Sequence, residues 1–591
     1  MRSFGVYHAI GLALTLGAVV RAAVYEVAQQ NPRATDEGPG TLEQPWRTIA
    51  RAAAAVGQGD VVVIRGGVYR EGVLVKANGT AIAPIRFEAA PGEQVLLTGA
   101  DRLTGWRKAD EARPIYSVSW PHKFITWNRG MAHPDDEYHR LIGRCEQVVV
   151  DGYLLRQVLS TEKLAAGTFL ADVTNQTLFV WDAGSRDLNK THVEASVRQE
   201  IFRVEGDYVQ LRGLRFRYAA NMAQHGAVAL AGRHNVLQDC VIEAMNASGA
   251  TFTGEDAVVR RCVFRDNGQL GFGAGRAHRL LFTECLVENN NTKGFDRGWE
   301  AGGNKLALCR DAVLERSRFV RNRGNGIWFD IGNTNCTVRQ CLITDNEDAG
   351  IFYEISFRLL AHDNVIVGNG FAATAGAWGA QAGISLSSSP DCVVERNLIA
   401  GNREGFNFRE QTRSTPTIED RAGRPVWNHD QLIRHNLIVL NRDAQVWGWF
   451  DVKDNRHWPT SNAPTNQAIT AATVKPADIA EAYVEETAAG QTHGLTLEKL
   501  RLRFERNVYF AAAGQGWFKW GPTWARHKSY ASLGDFQSEL GLDADSQTLD
   551  PAFSDTFQLD FRLSPGTMAL VKESYPQGPV PGVMLGVRGA E

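Results

Sequence analysis

The chain has 591 residues, enough for several domains, and a formal net charge of -3. That balance excludes a basic field for nucleic acid and an acidic interaction tail. Its 58 glycines exceed the usual share of about 7% and point to many tight turns between short strands.

Residues 1–22 read as an export signal. Arg2 supplies the positive start, Ile10 to Val20 is an apolar run too short to span a bilayer, and Val20-Arg21-Ala22-Ala23 offers small residues for cleavage. An ordinary buried N-terminal helix is the alternative. No later stretch approaches the ~20 apolar residues of a transmembrane helix. The expected mature protein is therefore soluble, without a membrane span, and secreted or periplasmic.

Residues 23–102 are expected to start a stack of coils. Thr48 to Val56 is a short helix former suited to capping the open end of a core, and Val61-Val62-Val63-Ile64 is a buried strand by its continuous β-branched run. A cation could occupy the turn Asp36-Glu37-Gly38-Pro39-Gly40. Residues 103–196 break the rhythm with strand candidates such as Gln147 to Val150 and Leu178 to Trp181. They read as an inserted β-rich domain, a small sandwich.

From 197 to 446 one phrase recurs: a Cys or Asn, mostly apolar residues, then an Asn five positions on. It appears at Cys262–Asn267, Cys285–Asn290, Ser317–Asn322, Cys341–Asn346, Asn364–Asn369, Asn397–Asn402 and Asn436–Asn441, with frayed copies at Cys240 and Asn507. From Cys240 to Asn436 the gaps between first residues are 22, 23, 32, 24, 23, 33 and 39. A base period near 23 residues with insertions fits one coil of a right-handed parallel β-helix, an all-β solenoid whose coils share one core. Equivalent positions then stack about 4.8 Å apart. Cys240, Cys262, Cys285, Ser317 and Cys341 form one column of packed small residues, not a disulfide framework. The second Asn column forms an amide ladder at a turn, where Asn tolerates left-handed backbone. Residues 447–500 read as a polar insertion with a helix-forming stretch, 476–487, and residues 501–591 as the last coil and C-terminal cap.

Two runs within the coils match position for position: Gly326-Ile327-Trp328-Phe329-Asp330 and Gly350-Ile351-Phe352-Tyr353-Glu354. Strand alternation turns Ile327, Phe329 and Ile331 inward and Trp328 and Asp330 outward. In the second run Ile351, Tyr353 and Ile355 face in, and Phe352 and Glu354 face out. The register places Glu354 beside Asp330, and Phe352 beside Trp328. Like charges on neighbouring strands are unfavourable as structure. A shared site instead splits the two pKa values, as an acid and a nucleophile require. Carboxyls about 5–5.5 Å apart retain anomeric configuration, and those about 6.5–9.5 Å apart invert it; one rung of about 4.8 Å favours retention. The aromatic pair could stack on a sugar face. Glu300 and Lys305 lie on the preceding coil and could reach the same groove. In Gly405-Phe406-Asn407-Phe408-Arg409-Glu410, either Arg409 or Glu410 aligns with Asp330, depending on the residue counted from. His225 and Trp378 are candidates for the groove's edges. Insertions after Asn369, Asn402 and Trp449 could wall the groove into a pocket.

The two runs resemble the catalytic strands of parallel β-helix glycoside hydrolases. These are the β-xylosidase family with a β-sandwich inserted near the start of the helix, and the related fucosidase/xylanase family. The general layout resembles theirs from Tyr25 to the C-terminus; the specific match is confined to the two strands. The resemblance implies that Asp330 is the nucleophile and Glu354 the general acid/base, and leaves the sugar open. The expectation is a secreted retaining glycoside hydrolase acting on plant or algal polysaccharide fragments, requiring no metal. One alternative is a polysaccharide lyase or epimerase acting on uronates, with Lys305 and Arg409 as base and Glu300 as a Ca2+ ligand. Another is a non-catalytic carbohydrate-binding β-helix. Oligomeric state is not encoded in any recognisable pattern.

Overall fold

The repeated phrase builds three sheets of thirteen strands each, which wind as a right-handed parallel β-helix. A computed structural model describes residues 22–126, 143–373, 381–410, 413–450, 500–522, 528–556 and 558–573. The expected export signal before Ala22, the helix at 476–487 and Trp378 lie outside these residues. One coil contributes Val313–Glu315, Arg318–Val320 and Ile327–Phe329; the next contributes Thr337–Arg339, Leu342–Thr344 and Ile351–Glu354. Corresponding strands pair in parallel, as in Phe319 with Ile343. Inward residues such as Phe272, Phe282, Phe319 and Phe329 are fully buried in one core, each contributing roughly 1.5–3 kcal/mol. Among the described residues, no helix is long and apolar enough to cross a membrane.

Side-chain ladders fix how the coils stack. Asn346 donates from its backbone N and its Nδ2 to Asn369 Oδ1, at 3.1 and 2.8 Å, and from Nδ2 to Phe319 O at 3.0 Å. The pattern repeats from Asn267 through Asn290, Asn322, Asn346, Asn369 and Asn402 to Asn441. The Cys column works similarly: Cys262 N donates to Cys285 Sγ, and Cys285 N to Ser317 Oγ. It passes into Asn364, Asn397, Asn436 and Asn507. All eight cysteines are buried free thiols. The left-handed residue is not the ladder Asn itself but the one before it: Arg316, Arg321, Gln340 and Asp345 have φ between 46° and 57°. The kink at that position turns the following side chain into the core.

Between the early coils and the rest, the chain forms two packed sheets. The first pairs Ala100–Arg102, Val148–Val150, Tyr153–Leu154 and Val193–Ser196. The second pairs Arg107–Lys108, Tyr116–Ser119, Arg156–Gln157, Thr168–Asp172 and Thr177–Trp181. Val148, Val193, Phe169 and Leu178 share their core. The first strand opens at Ala100, slightly before the expected boundary.

Helix Ile49–Ala55 packs Ile49, Ala52 and Ala53 onto the end of the solenoid core. Asp36 serves this helix start: it accepts from Arg47 N, Thr48 N and Thr48 Oγ1. At the far end, Phe536 of helix Leu533–Leu540 stacks on Phe518 with ring centroids 4.6 Å apart. The run Gln445 to Asp451, which reads as another coil strand although the insertion is counted from 447, forms strand Ala444–Phe450.

Replacing Asn346 with Ala removes the acceptor of two hydrogen bonds from Asn322, whose N and Nδ2 lie 3.0 and 2.9 Å from Asn346 Oδ1; Nδ2 keeps only Val287 O. The expected cost is on the order of 3 kcal/mol, read as a lower urea midpoint; an unchanged midpoint would contradict the ladder's structural role.

Candidate active site

Phe329 pairs with Tyr353 and Trp328 with Phe352, so Asp330 and Glu354 occupy equivalent positions on adjoining coils, one rung of about 4.8 Å apart. Both are buried, at 7% and 2% exposure. Ile331 and Ile355 do not continue the inward face as expected. They adopt φ of 64° and 38° and end the strands. Left-handed backbone at a β-branched residue costs about 1–3 kcal/mol and concentrates at functional sites.

A third ladder, not anticipated from the sequence, holds these turns. Asn333 N donates to Ser356 Oγ, Ser356 N to Ser389 Oγ, and Ser389 N to Asn428 Oδ1. Asn333 Nδ2 also donates to Asp330 O, and Ser356 Oγ to Glu354 O, at 3.0 and 2.8 Å. The backbone carrying each acid is thereby pinned. The signal lay in the spacing: its separations of 23, 33 and 39 residues repeat those of the Asn ladder from Asn346 to Asn441.

The two acids have different electrostatic surroundings. Lys305 Nζ lies 2.8 Å from Asp330 Oδ2 and 3.1 Å from Glu300 Oε1. Burial opposes the ammonium, but the charges of Asp330 and Glu300 outweigh it and hold Lys305 above its ordinary pKa. Asp330 Oδ1 is buried without a hydrogen-bond partner. Glu354 is pushed up, first by burial and then by the charge of Asp330, against the opposing pull of Arg413 and Arg409. Arg413 Nη1 lies 2.7 Å from Glu354 Oε1, and Trp328 Nε1 donates to Glu354 Oε2 at 3.3 Å.

Trp328 and Phe352 are 2% and 1% exposed. They stack on each other at 5.6 Å, and Lys305 Nζ lies 4.3 Å from the Trp328 ring centre. The pair therefore forms a packed wall under the carboxylates instead of the open sugar platform expected. The register settles the choice between Arg409 and Glu410: Glu354 pairs with Ser387, and Ser387 with Arg409. Arg409 belongs to the carboxylate column. Glu410 follows it, opposite Phe450.

Arg413 was missed because it comes from an insertion, not a coil position. After strand Glu404–Glu410 the chain makes a hairpin, Arg413–Thr415 with Arg424–Val426. It folds back over the earlier coils. A Cβ at Gly332 would fall 2.2 Å from Pro416 O, and Glu419 pairs with Arg310. This insertion walls the site. His225 lies on an early coil, exposed, with its ring against Ala223 O; it is not brought to the acids. Asp391, His429 and Asp430 place three possible ligand atoms within 4.8 Å of one another, but Arg501 already pairs with Asp430.

Residues 201–354 match a family model described as a right-handed β-helix region. By structure, the chain is similar to XylC in its complex with xylose, with TM-score 0.62 and 18% identity, covering 90% of this chain and 87% of that one. It also aligns with the alginate lyase AlyGC of family PL6, with TM-score 0.45 and 11% identity, over 91% of this chain and 57% of that one. The YwoF protein of Bacillus subtilis strain 168, itself uncharacterized, is 35% identical over 104 residues. That alignment takes in 16% of this chain and 22% of YwoF. The family model and the likeness to XylC agree with the β-helix fold.

Lys305→Met should leave Asp330 and Glu300 as uncompensated charges and destabilise the protein by about 3–5 kcal/mol. Urea denaturation at neutral pH measures this; a change within ±0.5 kcal/mol would mean that the lysine does not hold the acids.

Proposed function

We propose that the protein is an exported retaining glycoside hydrolase acting on plant or algal polysaccharide fragments. The observation that carries this reading is the pairing of two buried carboxyls, equivalent on adjoining coils, with opposite electrostatics. Asp330 is held beside an ammonium and keeps one oxygen unpartnered, which suits a nucleophile. Glu354 is pushed toward its protonated form, which suits a general acid. One rung of about 4.8 Å is closer to the retaining separation of about 5–5.5 Å than to the inverting one.

Asp330 Oδ1 attacks the anomeric carbon while Glu354 gives its proton to the leaving oxygen, and the glycosidic bond breaks. This produces a glycosyl ester on Asp330. Glu354, now a carboxylate, takes a proton from water, the resulting oxygen displaces Asp330, and the sugar leaves with its original configuration. Lys305 stabilises Asp330 as a carboxylate leaving group. The hairpin 413–426 excludes bulk water from one side.

With Lys305 and Arg409 as the candidate bases, elimination or epimerisation of a uronate needs one of them unprotonated. Lys305 is held as an ammonium by two carboxylates, and a guanidinium such as Arg409 stays protonated. Both count against the lyase reading.

On an active aryl glycoside, Asp330→Ala and Glu354→Ala should each lower kcat by about a thousandfold; near-wild-type turnover in both would remove the assignment. NMR of the first-formed sugar should show the retained anomer, and the opposite anomer would contradict the double displacement. Activity should fall as pH rises through the raised pKa of Glu354, because the acid must be protonated. Arg413 lowers that pKa, so Arg413→Met should move the alkaline limb to higher pH; a shift to lower pH would contradict the pairing.

A further inference from the structure

We propose that Ser385, Ser387, Asn407 and Glu404 form a hydroxyl-binding row that seats an uncharged sugar ring beside the reacting bond, an inference that rests on the hydrolase reading above. Ser385 pairs with Phe352 and Ser387 with Glu354; Asn407 pairs with Ser385 on the following coil. The outward column that begins with Trp328 and Phe352 thus changes from aromatic to polar within one rung of the acids.

The row is incomplete by itself. Ser385 Oγ, Ser387 Oγ and Asn407 Oδ1 are buried without hydrogen-bond partners, and buried polar groups in folded proteins almost always have them. Nearby serines provide a control. Ser356 Oγ and Ser389 Oγ donate to backbone oxygens of Glu354 and Ser387, at 2.8 and 2.9 Å. Serine in these coils can therefore satisfy itself, and the row does not. Asn407 Nδ2 donates to Glu404 Oε2 at 2.7 Å, which leaves Oδ1 as an acceptor for a ligand hydroxyl.

Glu404 sets the charge preference. It is buried, and burial lifts its carboxyl to about 7. Arg403, paired with Asp443, and Lys519, whose Nζ lies 4.3 Å from the Trp447 ring centre, pull it down, but burial outweighs them. Arg409, opposite Ser387, acts on Glu354. Above neutral pH a uronate carboxylate entering the row meets a like charge, whereas a diol can both donate to Glu404 and accept from the serines.

Calorimetric titration of the full chain at pH 8 tests this. The probes are D-xylose, L-fucose and D-galactose against D-glucuronate and D-galacturonate. At least one neutral sugar should bind more than tenfold tighter than either uronate. The Ser385→Ala/Ser387→Ala double variant, which removes two hydroxyls without a hydrogen-bond partner in the protein, should weaken that neutral sugar more than tenfold while unfolding at an unchanged temperature. Glu404→Gln should narrow the gap between neutral and acidic sugars. The row is overturned if no neutral sugar binds, if a uronate binds as tightly, or if the double variant binds like the parent. Binding is read without turnover, so its failure leaves the catalytic reading intact. Active Asp330→Ala and Glu354→Ala variants would instead remove that reading.

Discussion

The stacked amide ladder is the constraint on which the rest depends. Each buried Asn accepts from the backbone N and Nδ2 of the Asn before it, and gives its own Nδ2 to the next. Parallel strands alone can slip in register, because any pair of extended segments can exchange backbone hydrogen bonds. A ladder cannot: shifting one coil by a single residue would bury several unpaired amides at once, each costing about 1–3 kcal/mol. Insertions between ladder positions are tolerated because they leave the stacked side chains untouched. That is how the hairpin 413–426 can be added without disturbing the coils.

Register then creates the site. Once Phe329 is fixed opposite Tyr353, the residue after each strand is fixed as well, and Asp330 and Glu354 must be neighbours. The Asn333–Ser356–Ser389–Asn428 ladder secures the strained turns at Ile331 and Ile355, so that the acids cannot relax apart by unwinding the turn. Lys305, one coil earlier, offsets the charge of Asp330. Arg413, from the hairpin, meets Glu354. The like-charge cost is thus distributed between two cations instead of being relieved by separation, which leaves the acids unequal.

Much of this was legible in the chain, because ladder residues recur at the coil period whatever the intervening loops do. Cys262 to Asn267 and Cys341 to Asn346 reveal the fold, and the two Gly-Ile-aromatic-aromatic-acid runs put Asp330 and Glu354 on adjoining coils. Periodicity could not reveal contacts made by insertions. Arg413 lies 59 residues from Glu354 in a segment without coil phrasing, and its approach depends on how the hairpin folds back. Alternation also overreached. It carried Ile331 and Ile355 inward as strand residues, where the ladder demands a left-handed turn. It marked Trp328 and Phe352 as outward, which is right for the strand, but could not foresee that Lys305 and Glu354 would cover them.

The central claim is that Asp330 and Glu354 share one site and divide the chemistry between them. It is tested most directly by trapping the covalent intermediate with an activated 2-deoxy-2-fluoro glycoside of a substrate sugar, followed by peptide mass spectrometry. The account predicts a single glycosyl adduct on the peptide containing Asp330, formed slowly in the wild type and absent from Asp330→Ala. Stoichiometric labelling of a different carboxylate, or turnover of the parent glycoside with no adduct on Asp330, would contradict it.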